Sequence, residues 1–554
     1  MRSVKRQLVA RANALRRRNQ QTKPGPRCVY RSLLLSSLPV AVLMLAPTRA
    51  AAQDVSPWTR LERGAHAIGF RELLLRDPSR PSLPLHEGAP PIDAHGRQMQ
   101  IVVWYPAIAG TGDALAYGDY VARSAQAVDF SPLDASRRRA AVDDYVARAA
   151  GLGGDTIALR AALPRLLATA VSGRLGARAA TGRFPLVLFP DWRVPSVNSV
   201  LAEYLASHGY VVASTTTKGT YDPQVEYWSP RGLETMAADL RFVIAALDTI
   251  AFVDTRRIGA MGVGIAASGA LALQMRTPAV AAMVSLEGGI TTEGEMGLMT
   301  RTPFFEVANV RGPMLAITAP HPSVDPARLD LYRYATRYLV HFPRMGEFWF
   351  LDYGLLEGIV PRIIGQPPGD TEAGFEWGAR FVRRFLDSAL RDDADARAWL
   401  GMSGNRAGAP PGLFTVTTKP AATPPPTVTE LKDLLRREGS TGLVRLVDER
   451  IAADSQPIPP EHFVEMSAWL ANSGRDATGA DRHVLARLRV RLYPGSARAH
   501  FSLAGTANRA GERALARTHF TEALRLLATD PDPYLDSGTR LRIHQQASAA
   551  LRNP

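Results

Sequence analysis

Cysteine is almost absent from this chain. The one cysteine, Cys28, lies in a basic N-terminal leader, so the chain beyond that leader contains none. Disulfide bonds, a catalytic thiol and thiolate-bound metal ions are therefore excluded from the folded part. Long hydrophobic runs are missing as well: the apolar run Leu33–Ala46 is shorter than the roughly 20 residues that a membrane-spanning helix needs.

Positive charge is scarce outside the leader. The formal net charge is +14, but eleven Lys or Arg residues precede the first acid, Asp54, which leaves 14 − 11 = +3 for the rest. A nucleic-acid-binding protein would be expected to carry a basic stripe on its folded part. We therefore expect no nucleic-acid partner.

The N-terminal segment has the pattern of an export signal. A basic region leads into the apolar run Leu33–Ala46, and the small residues Ala50-Ala51-Ala52 follow it. This order is typical of a secretory signal peptide. It predicts a signal peptide over residues 1–52, cleavage near Ala52, and an exported mature chain, periplasmic or extracellular, without a membrane span.

Composition divides the rest of the chain into three stretches. Residues 53–400 alternate short β-rich runs with helical patterns, which predicts a mostly parallel α/β sheet covered by helices, with a helical insertion at about 115–180 as a possible lid. Residues 401–428 are Pro-rich and predict a semi-rigid linker, and residues 429–554 are helical. The expected strands are Gln100–Pro106, Phe184–Phe189, Tyr210–Thr217, Arg256–Val263, Ala281–Gly289, Gly312–Pro320 and Glu347–Asp352.

Several segments of residues 60–400 carry a resemblance to a known family. The sequences WYPA, LASHGYVV, VDTRRIGAMG and VSLEGG occur in the expected order. Together they resemble α/β hydrolases of the dienelactone hydrolase and platelet-activating-factor acetylhydrolase group. The resemblance implies an α/β-hydrolase fold and an ancestral ester-hydrolysing chemistry, with no cofactor and no metal. Because one fold hosts many functions, activity has to be argued from the site.

The resemblance also places the catalytic positions. The nucleophile position falls on Gly264 in the turn GVGIA, which has no side chain to attack an ester. The base position, a histidine in the family, is Glu347. The acid position is retained as Glu287, and the dienelactone-type alternative for the acid is Asp325. A working triad needs nucleophile, base and acid together, so two of its three members are lost.

The remaining part of the site is equally altered. Where the family has a His-Gly pair beside the oxyanion, this chain has Asp191-Trp192, which brings bulk and a negative charge. Ser268 and His321 are the available substitutes for nucleophile and base. Ser268 is expected one turn into a helix, where a hydroxyl tends to bond to a backbone carbonyl.

The C-terminal stretch carries a second resemblance. Residues 493–531 match one tetratricopeptide repeat, with Leu503 and Ala504 on a first helix, Gly511 in the turn, and Ala516, Phe520 and Ala523 on a second helix. A single repeat cannot bury its apolar face alone, so the helices from 430 onward are expected to be degenerate partners. Two roles of this region remain open: it contacts a peptide or protein partner, or it only packs against the α/β part.

Three functional hypotheses follow. The first is a non-catalytic pseudo-hydrolase that binds a ligand or protein partner. The second is an active carboxylic-ester hydrolase with a relocated nucleophile, Ser268, and His321 as base. The third is acid–base chemistry by the pair Glu287 and Glu347, since two carboxylates in one cleft can divide these roles when their pKa values are pushed apart.

Overall fold

The protein is described from a computed structural model. It describes residues 61–81, 83–84, 95–127, 130–190, 195–216, 221–222, 228–302, 305–402, 406–453, 455, 457–530, 535 and 537–552. These residues belong to one compact unit, Asp54–Pro554. The expected signal peptide, 1–52, lies outside them. Within the described ranges, no helix combines the length and apolar character needed to cross a membrane.

The strands form one large sheet and one small one. Eleven of them pair in the order β13-β12-β11-β10-β9-β6-β7-β3-β1-β5-β4, and β2 pairs with β8. The six neighbours from β12 to β7 are all parallel, which confirms the expected mostly parallel sheet. The strands are β1 (Ala67–Asp77), β2 (Leu83–Pro84), β3 (Arg97–Ala107), β4 (Asp113–Ala116), β5 (Ala170–Leu175), β6 (Phe184–Leu188), β7 (Val211–Thr215), β8 (Tyr221–Asp222), β9 (Val253–Val263), β10 (Val280–Leu286), β11 (Met314–Thr318), β12 (Arg337–His341) and β13 (Thr415–Lys419).

Helices alternate with the parallel strands, as crossover connections require. Side chains of successive strand residues then point to opposite faces, and both faces are buried. In β3, Ile101 and Val103 pack into one core while Val102 and Trp104 pack into the other. The helices of this part are α1 (Tyr117–Arg123), α2 (Ala135–Gly151), α3 (Thr156–Leu167), α4 (Ser199–Ser207), α5 (Pro230–Asp248), α6 (Ile265–Gln274), α7 (Glu293–Met299), α8 (Tyr353–Leu356), α9 (Thr371–Arg391) and α10 (Ala394–Gly401).

The insertion expected at 115–180 is mainly helical, but its two ends are strands. Helices α1 to α3 lie between β4 and β5, which pair with each other and extend the sheet beyond β1. A buried carboxylate fastens this insertion to α4: Glu203 accepts hydrogen bonds from the Tyr120 hydroxyl at 2.6 Å and from the backbone N–H groups of Ser172 and Gly173 at 3.1 and 2.8 Å. Three donors satisfy a carboxylate that would otherwise be costly to bury.

One expected strand is wrong. Glu347–Phe350 is a 3₁₀ turn rather than a strand, and the last parallel strand is β12, which ends earlier, at His341. The aromatic run Phe348-Trp349-Phe350 suggested a strand because aromatic residues are enriched in strands. In the structure, a bond from the Trp349 N–H to the Gly346 carbonyl closes a turn that buries Trp349 and Phe350.

The segment expected to be a linker, 401–428, is also partly ordered into the sheet. Thr415–Lys419 forms edge strand β13, antiparallel to β12 with Tyr338 opposite Thr418. Its sequence, TVTTK, is rich in β-branched residues, which suit a pleated edge. Leu413 and Phe414, just before it, are buried in the core. The overall Pro content concealed this short β-forming run.

From Val428 onward the described residues form helices joined by short connections, as expected for residues 429–554. Consecutive helices pack against one another from α11 to α16, and α11 is interrupted at Gly439, whose φ and ψ are 64° and −168°. In the expected repeat, Ala504, Ala516, Phe520 and Ala523 are buried and Gly511 turns with φ 79°. These helices are α11 (Val428–Ala452), α12 (Pro460–Asn472), α13 (Ala480–Leu492), α14 (Ala497–Arg509), α15 (Arg513–Leu526) and α16 (Ser537–Arg552).

Candidate functional site

A sharp turn joins the central strand β9 to helix α6. Gly264 occupies its tip with φ 52° and ψ −130°, a conformation that a residue with a side chain adopts only under strain. Small neighbours make the turn possible. A Cβ on Gly262 would lie 2.4 Å from the Ala267 nitrogen, and one on Gly289 would lie 2.6 Å from the Gly264 carbonyl oxygen. In α/β hydrolases this strand–turn–helix arrangement exposes the nucleophile.

The space in front of Gly264 is bounded by carboxylates. A Cβ built on Gly264 would lie 3.4 Å from Glu295 Oε1 and 3.6 Å from Glu347 Oε1. These are ordinary van der Waals distances, so the space above the glycine accommodates a methyl group. The two carboxylate oxygens lie near one point, so they are at most about 7 Å apart. Gly264 and Glu347, the expected nucleophile and base positions, are therefore neighbours in space.

Glu287, the retained acid position, follows β10 directly. It has a positive φ of 43°, and its side chain is only 2% exposed. Burial, followed by the nearby carboxylates Glu347 and Glu295, raises the pKa of Glu287 to about 8, while a hydrogen bond from the Ala319 backbone N–H opposes the change. The three carboxylates thus interact with each other. Glu287 Oε1 has no hydrogen-bond partner.

Glu295 is a site residue that sequence reasoning missed. It lies in the first turn of α7 and is 5% exposed. Burial raises its pKa, although hydrogen bonds from Thr292 and Gly289 favour the ionised form. The spacing from Thr292 to Glu295 matches a capping box, which assigns such a glutamate to helix initiation. Here the Thr292 hydroxyl donates to the Glu295 carboxylate and does not cap the helix backbone, so the motif positions a site residue.

Glu347 lies on the 3₁₀ turn after β12 and is half-buried, which raises its pKa. The segment that follows is held by Asp352, which is fully buried. Its carboxylate accepts hydrogen bonds from the Ser199 hydroxyl at 2.7 Å and from the Val200 N–H at 3.1 Å, at the start of α4. Burial nevertheless raises the pKa of Asp352 to about 8. Asp352 anchors the turn that carries Glu347.

The two expected substitutes are each engaged in hydrogen bonds of their own. Ser268 is fully buried, and its hydroxyl donates to the Gly289 carbonyl at 3.2 Å. His321 is exposed, and its Nδ1 accepts a hydrogen bond from the Ser323 N–H at 3.2 Å. Because Nδ1 is occupied in this way, the neutral ring carries its proton on Nε2. Nothing in the described residues links the two side chains.

Two further expectations concern the surroundings of the site. Asp325, the alternative acid, accepts a hydrogen bond from the Ala327 N–H at 3.0 Å and caps the 3₁₀ turn Pro326–Tyr332. Asp191 and Trp192, expected in the oxyanion region, lie outside the described residues. In the part of the chain that the structure describes, no group of three or more His, Cys, Asp or Glu side chains is arranged to hold a metal ion.

The arrangement has clear chemical limits. Acyl transfer requires a nucleophile beside a base that can accept its proton. At the tip of this turn there is no side-chain atom, and the nearest groups are acids with raised pKa values. Such groups suit proton transfer or the binding of a hydrogen-bond donor.

Comparisons with known proteins give a limited result. No protein-family model matches the sequence, and no curated protein matches it either. A solved ferulic acid esterase from Streptomyces cinnamoneus is similar to this chain, with 23% sequence identity and a TM-score of 0.46, over 66% of this chain and 99% of that one. The parallel sheet and the sharp turn between β9 and α6 make this chain a protein with an α/β-hydrolase type of fold, followed by a helical region.

Proposed function

We propose that this chain is an exported pseudo-hydrolase, a protein that uses the α/β-hydrolase fold to bind a ligand or protein partner without turnover. The observation that carries the proposal is Gly264 at the tip of the turn, with Glu295 and Glu347 in front of it. Glycine accepts the strained turn geometry with little cost. A chain that no longer needs a nucleophile therefore loses nothing in stability by having glycine there.

The relocated hydrolase is the less favoured alternative. A buried Ser268 that donates to a backbone carbonyl has no path to an ester, and His321 bonds to its own loop. The acid–base hypothesis has more support, because burial and neighbouring carboxylates raise the pKa of Glu287 to about 8. A group that titrates near neutrality is suited to general acid or base catalysis. This makes a Glu287–Glu347 pair the second candidate function.

The test of the first proposal is an activity assay on the purified mature protein. We expect no labelling by a fluorophosphonate probe and no hydrolysis of short aryl esters above the solvent rate. The variants Ser268→Ala and His321→Ala serve as controls. Clear esterase turnover in the unmodified protein that either variant abolishes would establish the relocated active site and overturn the proposal.

Restoration of single residues provides a second test. In a working triad, loss of the nucleophile or the base costs about 10⁶ in turnover, and the losses are not additive. We therefore expect Gly264→Ser to give no useful esterase, and Gly264→Ser with Glu347→His to give little. Efficient hydrolysis by the single variant would mean that an intact base and oxyanion site are present.

Export and the role of the C-terminal helices are part of the same proposal. We expect the mature N-terminus near Gln53, outside the cytoplasm, after cleavage of residues 1–52 near Ala52. Intact-mass measurement of the exported fraction tests this, and a cytoplasmic form beginning at Met1 would contradict it. We further propose that residues 429–554 form a tetratricopeptide-like domain that contacts a peptide or protein partner and that follows edge strand β13.

A further inference from the structure

The carboxylates around Gly264 form no ion pair in the part of the chain that the structure describes. None of Glu287, Glu295 and Glu347 forms an ion pair with a Lys, Arg or His among the described residues, although the charge of His321 lowers the pKa of Glu295. Buried charges are normally paired because their desolvation is costly. Here the neighbouring charges are instead acidic: Glu347 and Glu295 raise the pKa of Glu287, and Glu347 raises the pKa of Glu295.

A second observation concerns hydrogen bonding rather than charge. Glu287 is 2% exposed, yet its Oε1 has no hydrogen-bond donor. More than nine in ten buried polar groups are partnered, and an exception calls for an explanation such as a bound ion or ligand. The carboxylates that raise the pKa of Glu287, Glu347 and Glu295, are the two that lie in front of Gly264. Glu287 also borders this turn, because its backbone carbonyl oxygen accepts a hydrogen bond from the Gly264 N–H at 2.9 Å.

The shape of the site adds a third observation. At Gly264, a side-chain carbon would lie in ordinary contact with Glu295 Oε1 and Glu347 Oε1, at 3.4 and 3.6 Å, and glycine leaves this position open. An enzyme of this fold would fill that space with its nucleophile. Here the space is lined by acceptors, so the group that fits it is a hydrogen-bond donor with a positive charge.

On the basis of the proposed binding function, we infer that this site takes the primary ammonium group of a ligand, with its N–H donors directed at Glu295 and Glu347 and with Glu287 beside them. An ammonium group has three donors and no acceptor, which matches acceptor-only carboxylates. An anionic ligand would be repelled. A metal ion fits less well, because these side chains are not arranged as a metal site.

The ammonium group has two chemical sources, a free amine or the side chain of a lysine in a protein partner. Both present the same donor to the carboxylates. They differ in what lies beyond the alkyl stem, where a lysine carries peptide groups. The binding experiment therefore includes one probe for each source.

The experiment measures binding of small probes to the full mature protein at pH 8.5, by thermal shift at constant ionic strength. At this pH a carboxyl with a pKa of about 8 is mostly ionised, while an alkylammonium group is still protonated. We expect saturable stabilisation by methylammonium and none by tetramethylammonium, which has the charge but no N–H donor. Equal effects of the two ions would overturn the inference, as would stabilisation by Mg²⁺ or Ca²⁺ alone.

Variants locate the effect. Glu295→Gln and Glu347→Gln should each weaken methylammonium binding about tenfold or more, because each removes one charged acceptor. Glu293→Gln, on the exposed side of the same helix as Glu295, is the matched control and should leave binding unchanged. An unchanged affinity in both site variants would contradict the inference.

Two arms complete the design. Tighter binding of Nα-acetyllysine amide than of n-butylammonium would identify a lysine side chain as the source, and the reverse order would identify a free amine. The aryl-ester assay on the same preparation separates this inference from the proposed function. Absent methylammonium binding together with absent hydrolysis removes the ammonium ligand only, whereas turnover of the ester removes the pseudo-hydrolase.

Discussion

Replacing Glu287 by glutamine should change how stability depends on pH. The pKa of Glu287 is raised from 4.5 to about 8 in the folded protein, chiefly by burial and then by Glu347 and Glu295. Between these two values the folded chain binds more protons than the unfolded chain. Stability therefore falls as pH rises through this window. The contribution of Glu287 is fully present below pH 4.5 and fully lost above about pH 8.

The magnitude follows from the same two pKa values. At 1.36 kcal/mol for each pKa unit, the interval from 4.5 to about 8 corresponds to about 5 kcal/mol of stability. This is an upper limit, because protons can redistribute among the three neighbouring carboxylates. Glutamine is neutral at every pH and has nearly the same shape. Glu287→Gln should therefore match the unmodified protein near pH 4.5 and exceed its stability by several kcal/mol at pH 9.

The assay is urea unfolding of both proteins at pH 5, 7 and 9, followed by intrinsic tryptophan fluorescence. Glu293→Gln on the exposed face of α7 is the control, and it should follow the unmodified protein at each pH. Asp352, whose pKa is also raised to about 8, contributes equally to all three proteins and cancels in the comparison. If Glu287→Gln and the unmodified protein keep the same difference at all three pH values, the carboxylate is not desolvated as described.

Three further predictions concern the architecture. Gly264→Ala should lower the free energy of unfolding in urea by about 1–3 kcal/mol, because alanine is strained at this positive φ. Gly176→Ala is the control, since Gly176 has a φ of 65° and its added Cβ would meet nothing within 4 Å, and the two costs should be similar. A much larger cost for Gly264→Ala would mean that the space above Gly264 is filled. Glu203→Ala should cost about 3–5 kcal/mol, because it leaves the Tyr120 hydroxyl and two backbone N–H groups without an acceptor, and a loss below 1 kcal/mol would contradict this packing. Phe520→Ala should destabilise the C-terminal helices by about 3–5 kcal/mol in chemical unfolding followed by circular dichroism, and an unchanged transition would show that α14 and α15 do not share a core.

Much of the α/β part was readable from local patterns. The apolar runs that became β3, β6, β7, β9, β10 and β11 are continuous and β-rich, because strands of a sheet covered on both faces bury every residue. The Gly262–Ala266 turn was equally readable, since glycine is needed at 262, where a Cβ would lie 2.4 Å from the Ala267 backbone nitrogen. The burial of Ala504, Ala516 and Ala523 between helices also followed from their spacing.

Errors arose where a local pattern had two solutions. The aromatic run at Phe348-Trp349-Phe350 buries its side chains in a turn as effectively as in a strand. The β-forming residues Thr415–Lys419 were hidden by the prolines around them, and they became a strand only because the edge of β12 was available for pairing. An edge strand forms only where a neighbouring strand, distant in sequence, is available for pairing. A short stretch of sequence does not contain that neighbour.

The sequence by itself determined what the site lacks, and the tertiary structure decided what surrounds the gap. The glycine at 264 and the glutamates at 287 and 347 could be recognised from motifs that each span a few residues. Glu295 could not, because its motif is that of an ordinary helix start, and it reaches Gly264 only through the packing of α7 beside the turn. Contacts between residues far apart in the chain depend on how the sheet and its helices pack together, and so does the desolvation that raises the pKa of Glu287.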